Sequence, residues 1–396
     1  MTGVAFRCEA AFPRSILERP RPHAPQINFY LALFAYIDLQ GCDWLCASGG
    51  RMIRLSAIAG LALIASLATS AWAGDAKVIH VASTFPLSLP LFSEATGRLS
   101  AQVDSLTDGE VQLVFHVPGN LAPASSTVSR VTTGEIAAAW STAGQFAGHD
   151  SAFELLSSIP FGPNTIEYMA WFLEGGGLTL SRDLFAKHNV HNVPCMVLPP
   201  EGAGWFSKEI RSVDDLKGLR IRFFGLGGRV LARLGADVIQ KPPGEIVDAM
   251  KRGEIDAAEY SLPSMDLTLG LQNVAKYYYF PGWHQPSTLY ELYFNEATWR
   301  GLTEKQQETI ETVCAAVMRD SIGRAEIMQS EALEQIKRSG VKLRRWSPDL
   351  LLTFEATWEK VAEEEMAANP RFRQIYESYV RFRNQYGFWK RFSYLH

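Results

Sequence analysis

Apolar and polar positions follow the same order twice along the chain. In KVIHVAS, at residues 77–83, side chains alternate between two faces and several are β-branched, which predicts a strand. Downstream, apolar residues recur at helical spacing, and a glycine at 134 marks the end of the second helix. The first repeat is predicted as strand 77–83, helix 91–106, strand 111–117, helix 125–133 and strand 136–140.

The second repeat lies between residues 219 and 260. Gly-Glu-Ile stands at the same place in both repeats, as VTTGEIAAAW at 131–140 and MKRGEIDAAEY at 250–260. Because alternating strands and helices build parallel sheets, two such repeats predict an α/β fold with two lobes and a cleft between them. The second repeat is predicted as strand 219–224, helix 229–234, strand 237–241, helix 245–252 and strand 255–260.

Helix-forming residues dominate the chain after Trp299. Thr303 followed by Gln306 matches a capping box, and Gly340 stands where such a helix would end. A helix over 303–339 would be about 54 Å long, long enough to run along both lobes. Two further helices are predicted at 348–368 and 370–394. The predicted domains are therefore lobe 1 mainly in 74–200, lobe 2 mainly in 201–290, and a returning strand, the long helix and the C-terminal helices in 291–396.

Residues 52–73 have the pattern of a secretory signal peptide. Arg54 precedes an apolar stretch over about 55–67, and Ala71-Trp72-Ala73 places small residues where a signal peptidase cuts. A retained membrane anchor is the alternative, although the stretch is weakly hydrophobic and short. Cleavage after Ala73 predicts a periplasmic protein.

Residues 1–51 would then lie upstream of a complete signal peptide. The first hypothesis is that translation begins at Met52, so that this segment is not made. Two other interpretations are that 27–37 is itself a targeting segment, or that Leu39-Gln40-Gly41-Cys42 is a lipoprotein cleavage box. Mass spectrometry of the protein's N-terminus distinguishes them.

Composition excludes one class of partner and limits the covalent cross-links. Residues 1–73 hold six of the 38 basic and four of the 42 acidic residues, which leaves 74–396 with 32 and 38 and a net charge of −6. Without a basic patch or a Lys/Arg run, nucleic acid is excluded as a partner. Only Cys195 and Cys314 remain after 73, so at most one disulfide is expected.

The stretch RIRFFGLGGRV, at 220–230, combines arginines with glycines, as phosphate-binding loops do. It lacks both the spacing of a dinucleotide loop and the Gly-Lys-Ser/Thr of a P-loop. Arg222 lies near the end of a predicted strand, where open α/β sheets bind ligands, and a guanidinium can hold a carboxylate through two hydrogen bonds. An ordinary solvated arginine is the alternative, and Arg220 and Arg229 are interpreted as surface residues.

Glu201 and Glu259 are the acidic residues with candidate chemistry. Glu259 ends an otherwise apolar strand, so its carboxylate needs a cation or hydrogen-bond donors nearby. A metal ion is one such partner, and a salt bridge is the commoner one. The chain shows no GxSxG or HExxH motif and no nucleophile beside an evident base, so the residues favour binding over catalysis.

Several motifs in fixed order carry a resemblance to a known family. They are the signal peptide, SIPFG at 158–162, WFLEGGG at 171–177, EGAGWFSKEI at 201–210, DDLKGLRIRFFGLGGRV at 214–230, GEIDAAEY at 253–260 and YYYFPGW at 277–283. The chain resembles the substrate-binding proteins of TRAP transporters, the tripartite ATP-independent periplasmic systems, over roughly 78–388. Within that family it is most similar to the branch that binds 2-oxo acids.

The resemblance implies an α/β fold of the two-lobed periplasmic binding protein type, with a long connecting helix and a helical C-terminus. It implies that Arg222, the arginine of the KGLxxR motif, grips the substrate carboxylate. It also implies that a sodium or calcium ion, held at Glu201 and at Glu259-Tyr260, bridges substrate and protein. A 2-oxo acid fits this scheme, because its carboxylate and keto oxygens form a chelating pair and hard cations take oxygen ligands.

The chain departs from that branch at two positions, since Glu201 stands for the usual Gln and Tyr260 for the usual Trp. The added carboxylate at Glu201 predicts either a preference for calcium over sodium or a differently charged ligand. A backbone contribution from Tyr260 would make the second change mild. The further candidates for the cleft walls are Phe85, Phe146, Trp283 and His284, with Trp140 better explained as core.

The leading hypothesis is an exported receptor that closes on a small 2-oxo or 2-hydroxy acid and delivers it to a TRAP permease. A secreted hydrolase or lyase acting on a 2-oxo acid is one alternative. A ligand-sensing receptor of a signalling system is another. The aromatic C-terminus, 382–395, adds the hypothesis of a homodimer, because an extra C-terminal helix mediates dimerisation in this branch.

Overall fold

The computed structural model describes residues 76–394. The predictions for 1–51 and for the signal peptide at 52–73 lie outside these residues. Among the helices of 76–394, none combines the length and the apolar character that a bilayer crossing requires.

Eleven strands form two sheets in the described part of the chain. They are β1 (Lys77–Ser83), β2 (Val111–His116), β3 (Ala138–Ser141), β4 (Val190–Leu198), β5 (Gly204–Phe206), β6 (Arg220–Arg222), β7 (Asp237–Ile239), β8 (Ala257–Ala258), β9 (Tyr277–Phe280), β10 (Thr288–Asn295) and β11 (Lys342–Arg345). The first sheet has the order β2-β1-β3-β10-β4, and the second has the order β11-β9-β5-β8-β6-β7.

Twelve α-helices surround the sheets within residues 76–394. They are α1 (Pro90–Leu106), α2 (Ala124–Thr133), α3 (Ala152–Ser157), α4 (Thr165–Met169), α5 (Gly177–Ala186), α6 (Gly225–Arg233), α7 (Pro243–Lys251), α8 (Pro263–Leu269), α9 (Glu296–Arg300), α10 (Glu304–Arg338), α11 (Pro348–Ala368) and α12 (Pro370–Ser393). A turn of π-helix at Ala170–Glu174 joins α4 to the loop before α5.

The two predicted repeats have the same pairing. In sheet 1, β1 lies between β2 and β3 and is parallel to both. In sheet 2, β6 lies between β7 and β8 and is again parallel to both. In each sheet, an antiparallel strand lies next to the third strand of the repeat. This strand is β10 beside β3 in sheet 1 and β5 beside β8 in sheet 2. The predicted α/β fold with two similar halves is confirmed; where one lobe ends and the other begins along the chain stays a prediction.

The first repeat was predicted more accurately than the second. β1 has the predicted bounds, and α1, β2 and α2 differ from prediction by one residue at one end. In the second repeat, the prediction that a helix begins at Arg229 is wrong, because α6 begins at Gly225 and includes Gly227 and Gly228. Glycine is a poor helix former, so tertiary packing decides this helix rather than propensity.

Helix α10 connects the two halves. Thr303 caps it, and Thr303 and Gln306 form the predicted capping box. Its 35 residues give a length of about 52 Å, and it packs against β4 and α1 of the first half and against α8, which follows β8 of sheet 2. The disulfide between Cys195 on β4 and Cys314 ties this helix to sheet 1. The spanning helix predicted from the sequence is confirmed.

Candidate functional site

The candidate site lies where β6 and β8 end, on the central strands of sheet 2. Parallel pairing sets Arg222 opposite Ala258, so the next residue, Glu259, emerges beside the arginine. The backbone N–H of Glu259 donates to the Arg222 carbonyl at 2.9 Å, which continues the ladder by one bond. The strand alternation that placed Arg222 away from Ile221 therefore also places it against a carboxylate.

Arg222 and Glu259 form a buried ion pair. Arg222 Nη1 donates to Glu259 Oε2 at 2.8 Å and also to the Glu259 backbone carbonyl, while Nε donates to the Lys241 carbonyl at 3.4 Å. The Arg222 side chain is 9% exposed and that of Glu259 is fully buried. The Tyr260 ring lies 5.8 Å from the guanidinium carbon, within cation–π range. The arginine thus neutralises Glu259 while still lining the cavity.

Glu201 approaches the same place from the loop before β5. Thr288, the first residue of β10, donates its hydroxyl to Glu201 Oε1 at 3.0 Å, and Gln285 Nε2 donates to Thr288 Oγ1 at 3.1 Å. The Glu201 backbone N–H donates to the Gln285 carbonyl at 3.2 Å. This chain of bonds leaves the other carboxylate oxygen, Oε2, without a partner among residues 76–394.

The loop 281–285 fits closely against Glu201 and α6. A Cβ on Gly282 would lie 2.2 Å from the Glu201 carbonyl oxygen, so only glycine allows this approach. A Cβ on Gly227 would lie 2.5 Å from His284 Cβ and 2.7 Å from the Phe223 ring. These two close contacts hold Glu201 at the cavity and His284 beside it, which explains why the helix that follows RIRFF contains Gly227.

Glu201, Glu259 and His284 form the one group of three or more candidate ligands found within residues 76–394. Their ligand atoms all lie within 4.8 Å of one another, and His284 Nε2 lies 3.7 Å from Glu259 Oε1. All three residues are buried, and Glu201 Oε2, Glu259 Oε1 and both His284 nitrogens have no hydrogen-bond partner among the described residues. Since buried polar atoms are nearly always paired, this arrangement fits a cation.

The two carboxylates have opposite pKa shifts. Burial, and then the charge of Glu259, raise the pKa of Glu201 well above its ordinary value. Burial is the largest influence on Glu259 and would raise its pKa as well, but the charge of Arg222 and smaller contributions from neighbouring groups together outweigh it, so the pKa is lowered. Two adjacent buried carboxylates with one arginine therefore leave one carboxylate without a compensating charge.

The cavity beside this cluster is small and mixed in character. Its empty space is about 380 Å³, including the mouth that opens to solvent. Charged groups, neutral amides and hydroxyls, and aromatic rings all line it, as expected of a site for a small polar ligand. The lining residues are Phe85, Thr142, Gln145, Glu201, Arg222, Phe224, Tyr260, Ser261, Gln285, Thr288 and Tyr290.

Four of the predicted site residues line the cavity, namely Phe85, Glu201, Arg222 and Tyr260. Glu259 and His284 lie beside them in the ligand cluster. The sequence did not single out Thr142, Gln145, Gln285 or Thr288. Their spacing carries no signal, because they reach the site through loops and through the start of β10.

Phe146 and Trp283 do not reach the cavity, which corrects their assignment to the cleft walls. Phe146 is fully buried among Phe153, Phe185 and other rings of a core that has residues from both sheets. Trp283 stacks on Phe161, with ring centroids 5.4 Å apart, and belongs to the same core. Their neighbours in the chain reach the site instead: Gln145 lines the cavity, and His284 belongs to the ligand cluster. Trp140 is core, as expected.

Arg229 makes contacts beyond those of a surface residue, whereas Arg220 forms an exposed ion pair. Arg229 on α6 pairs with Glu154 on α3 and with Glu365 on α11, and its side chain is 37% exposed. Arg220 pairs with Asp256 at 2.8 Å. Because α3 contacts β10 of sheet 1 while α6 follows β6 of sheet 2, Arg229 joins elements of both halves.

Comparison with protein families gives a match over residues 81–369 to the bacterial extracellular solute-binding proteins, family 7. The chain belongs to this family. These solute-binding proteins are the substrate-binding receptors of TRAP transporters, which confirms the family inferred from the motifs, and confirms a receptor rather than an enzyme.

Curated and solved family members give closer comparisons. A monocarboxylate 2-oxoacid-binding periplasmic protein of Nostoc sp. is 33% identical over 312 residues, which are 79% of this chain and 85% of the relative. A TRAP solute-binding protein from Bordetella bronchiseptica, a dimer with calcium and picolinate, is 29% identical with a TM-score of 0.78, over 81% of this chain and 95% of that one. A member from Pseudoalteromonas atlantica, with bound sodium and pyruvate, is 26% identical with a TM-score of 0.77, over 81% and 97%.

Proposed function

We propose that this receptor binds a small monocarboxylic 2-oxo acid, of which pyruvate is the simplest, together with a divalent cation, and delivers it to a TRAP permease. The observation that carries the proposal is the buried cluster of Glu201, Glu259 and His284 beside Arg222. The 2-oxo acid binding of the Nostoc relative and the bound pyruvate of the Pseudoalteromonas structure support the same ligand class.

Each group has a role in this proposal. Arg222 binds the carboxylate of the acid while its Nη1 stays on Glu259. Glu201 and Glu259 would hold the cation through their unpartnered oxygens, and the cation would supply a positive charge for the carboxylate and keto oxygens of the acid. The Tyr260 carbonyl, one residue on, is a further oxygen ligand. Phe85 and Tyr290 cover the acid's short side chain.

Charge balance favours a divalent cation. Arg222 compensates Glu259, so Glu201 and a bound acid together bring two uncompensated negative charges. With Glu201 ionised, calcium makes the assembly neutral, whereas sodium either leaves one buried negative charge, which is costly, or requires Glu201 to keep the proton that its raised pKa favours and so to be a weaker ligand. The glutamate at 201 is therefore the residue that sets the preference for calcium over sodium.

Calorimetric titration tests the proposal on the protein secreted after expression of the full gene. After dialysis against chelator, we expect pyruvate binding with calcium, weaker binding with sodium and none with chelator alone. Arg222→Lys keeps a positive charge beside Glu259 but loses the planar fork, so we expect affinity to fall by at least about tenfold. Arg220→Lys, on the same strand but outside the cavity, is the control. Equal affinity with and without calcium would contradict the proposal.

Export and assembly remain part of the proposal. The family is extracellular, and cleavage after Ala73 is the proposed route to the periplasm. A homodimer is proposed on the aromatic end of α12, where Phe388, Trp389 and Phe392 are exposed, and the Bordetella structure is a dimer. Intact mass gives the N-terminus, and light scattering gives the oligomeric state.

A further inference from the structure

His284 has no role in the proposed function, yet its side chain is buried beside Glu201 and Glu259. Its side chain is fully buried, and neither Nδ1 nor Nε2 finds a hydrogen-bond partner among residues 76–394. A buried imidazole usually donates from one nitrogen and accepts at the other. An imidazole without a partner at either nitrogen is therefore energetically costly unless one nitrogen binds a ligand or an ion.

The distances identify a cation as that partner. Nε2 lies 3.7 Å from Glu259 Oε1, which is itself unpartnered, and Glu201 supplies the third atom within 4.8 Å of the other two. Two ligands of one ion lie at most twice a metal–ligand bond apart, which is about 4.2 Å for zinc and about 4.8 Å for calcium. The 3.7 Å between Nε2 and Glu259 Oε1 lies within both limits, whereas the 4.8 Å within which all three atoms lie is the calcium limit, so a zinc-sized ion requires the three side chains to draw closer.

Packing holds His284 in this position. The α6 backbone at Gly227 touches His284 Cβ so closely that no Cβ fits there, and the Phe223 ring lies edge-on to the imidazole at 4.6 Å. Ser158 donates its hydroxyl to the His284 carbonyl at 3.3 Å. A ligand fixed by its surroundings loses little conformational freedom on binding, which is how preorganised metal sites gain affinity.

We propose that His284 is a third protein ligand of the cation, and that the site binds a first-row transition-metal dication, of the class of zinc, cobalt or manganese, more tightly than calcium or sodium. The inference rests on the proposed cation site and deepens it. Calcium and sodium favour oxygen donors, whereas imidazole nitrogen suits transition-metal ions. Two carboxylates with one imidazole form such a ligand set and leave positions for the two oxygens of a 2-oxo acid.

Cobalt titration of the secreted, chelator-dialysed protein, without organic acid, tests this inference. We expect visible absorption bands of bound Co²⁺ and cobalt binding at least about tenfold tighter than calcium binding in competition. His284→Gln should weaken cobalt binding by at least about tenfold while calcium binding does not fall, since calcium does not depend on nitrogen. His191→Gln is the control, because that imidazole stacks on Trp299, 4.1 Å between centroids, away from the cavity.

Two further readouts keep the test decisive. In the unaltered protein, proton NMR with Co²⁺ should show a paramagnetically shifted, exchangeable imidazole signal that His284→Gln removes. Gly227→Ala should weaken cobalt binding too, because its methyl group displaces His284. Cobalt binding that is equal in the parent and His284→Gln, or that is no tighter than calcium binding, would overturn the inference.

The inference and the proposed function fail in different ways. If cobalt binding depends on His284 but no 2-oxo acid binds with any cation, the ligand class is wrong and the metal ligand stands. If pyruvate binds with calcium and His284→Gln changes neither metal affinity, the receptor function stands and His284 is no ligand.

Discussion

The two sheets share a topology but differ in the chemistry at their strand ends. In sheet 1 the central strands β1 and β3 end in Ser83 and Ser141, neutral groups within the core. In sheet 2 the corresponding strands β6 and β8 lead to Arg222 and Glu259, a buried ion pair. The same fold therefore supplies a neutral wall from one half and the charges from the other.

Each half also contains a buried carboxylate, and the two carboxylates have different kinds of partner. Glu291 on β10 of sheet 1 accepts hydrogen bonds from the Tyr293 hydroxyl at 2.6 Å and from Asn192 Nδ2 at 2.7 Å, and burial raises its pKa to about 7. Glu259 in sheet 2 is paired with a guanidinium, and its pKa is lowered. Neutral donors hold a carboxyl group in place, but a neighbouring cation is what keeps it ionised and ready to bind metal.

Removing the Arg222 side chain should have the largest effect on both stability and ligand affinity. Arg222→Ala leaves Glu259 buried without its cation, which should lower the free energy of unfolding by about 3–5 kcal/mol. Acid binding should also be lost, because the same side chain binds the ligand carboxylate. Urea unfolding and calorimetric titration measure the two effects.

Arg220→Ala is the matched control for this change. Arg220 lies on the same strand and pairs with Asp256, but its side chain is 42% exposed. Exposed ion pairs contribute about 0–1 kcal/mol, so stability should change little and ligand affinity not at all. Equal losses from both variants would show that burial of the charge is not what distinguishes the site.

The free energy of unfolding should depend on pH because of Glu291 in sheet 1. Its folded-state pKa of about 7 lies above the ordinary 4.5, so the native protein holds a proton that the unfolded chain has lost. The stabilisation is present below the ordinary pKa and is lost as pH rises through about 7. Relative to Glu291→Gln, the parent should lose about 3 kcal/mol of unfolding free energy from pH 4.5 to 8.

Unfolding in urea at four pH values measures this difference. Glu355→Gln, an exposed carboxylate on α11, is the control and should leave the parent's pH profile unchanged. A parent and a Glu291→Gln variant with parallel profiles would mean that neutral donors alone keep this carboxyl group ionised.

Arg229 should matter for affinity without touching the ligand. Its pairs with Glu154 and Glu365 join α6 to elements outside sheet 2. Arg229→Met removes this link, and a loss of about 1.4 kcal/mol from the arrangement that binds the ligand would weaken ligand binding about tenfold. Arg233→Met, whose partner Glu364 is exposed, should leave affinity unchanged. A tenfold loss in both variants would point to net charge instead of the link.

The sequence predicted the regular elements and missed the short ones. Alternation over β1 and the capping box of α10 gave correct ends, because long periodic segments carry many agreeing positions. β6 and β8 have only three and two residues, so periodicity could not set their ends. β11, with the sequence KLRR, has no strand signal and is held by its parallel pairing to β9.

The site residues show the same difference between regular and irregular segments. Arg222, Glu201 and Glu259 follow from strand position and from the family resemblance, and the structure brings them together. The contact of His284 with Glu259 could not be predicted, since it depends on the fit of Gly227 against a loop nearly sixty residues away. In the sequence Gly227 lay outside the predicted helix, as one of three glycines in RIRFFGLGGRV. Such contacts between loops carry no periodic signal.

Substitution of Thr142, in the neutral wall from sheet 1, should have the smallest effect, and it should stabilise the ligand-free protein. Thr142 lines the cavity and is buried, and its Oγ1 has no hydrogen-bond partner among residues 76–394. Thr142→Val removes an unsatisfied hydroxyl, so the ligand-free protein should gain about 1 kcal/mol in unfolding free energy. Ligand affinity should fall by about threefold to tenfold, the worth of one neutral hydrogen bond.

Thr84→Val separates this effect from ordinary packing. The Thr84 hydroxyl lies 2.8 Å from Ser141 Oγ and does not line the cavity, so its loss should lower stability and leave affinity unchanged. Thermal unfolding and calorimetry of the two variants give the comparison. If Thr142→Val also destabilised the protein without changing affinity, its hydroxyl would be structural, and the ligand would depend on the sheet 2 charges alone.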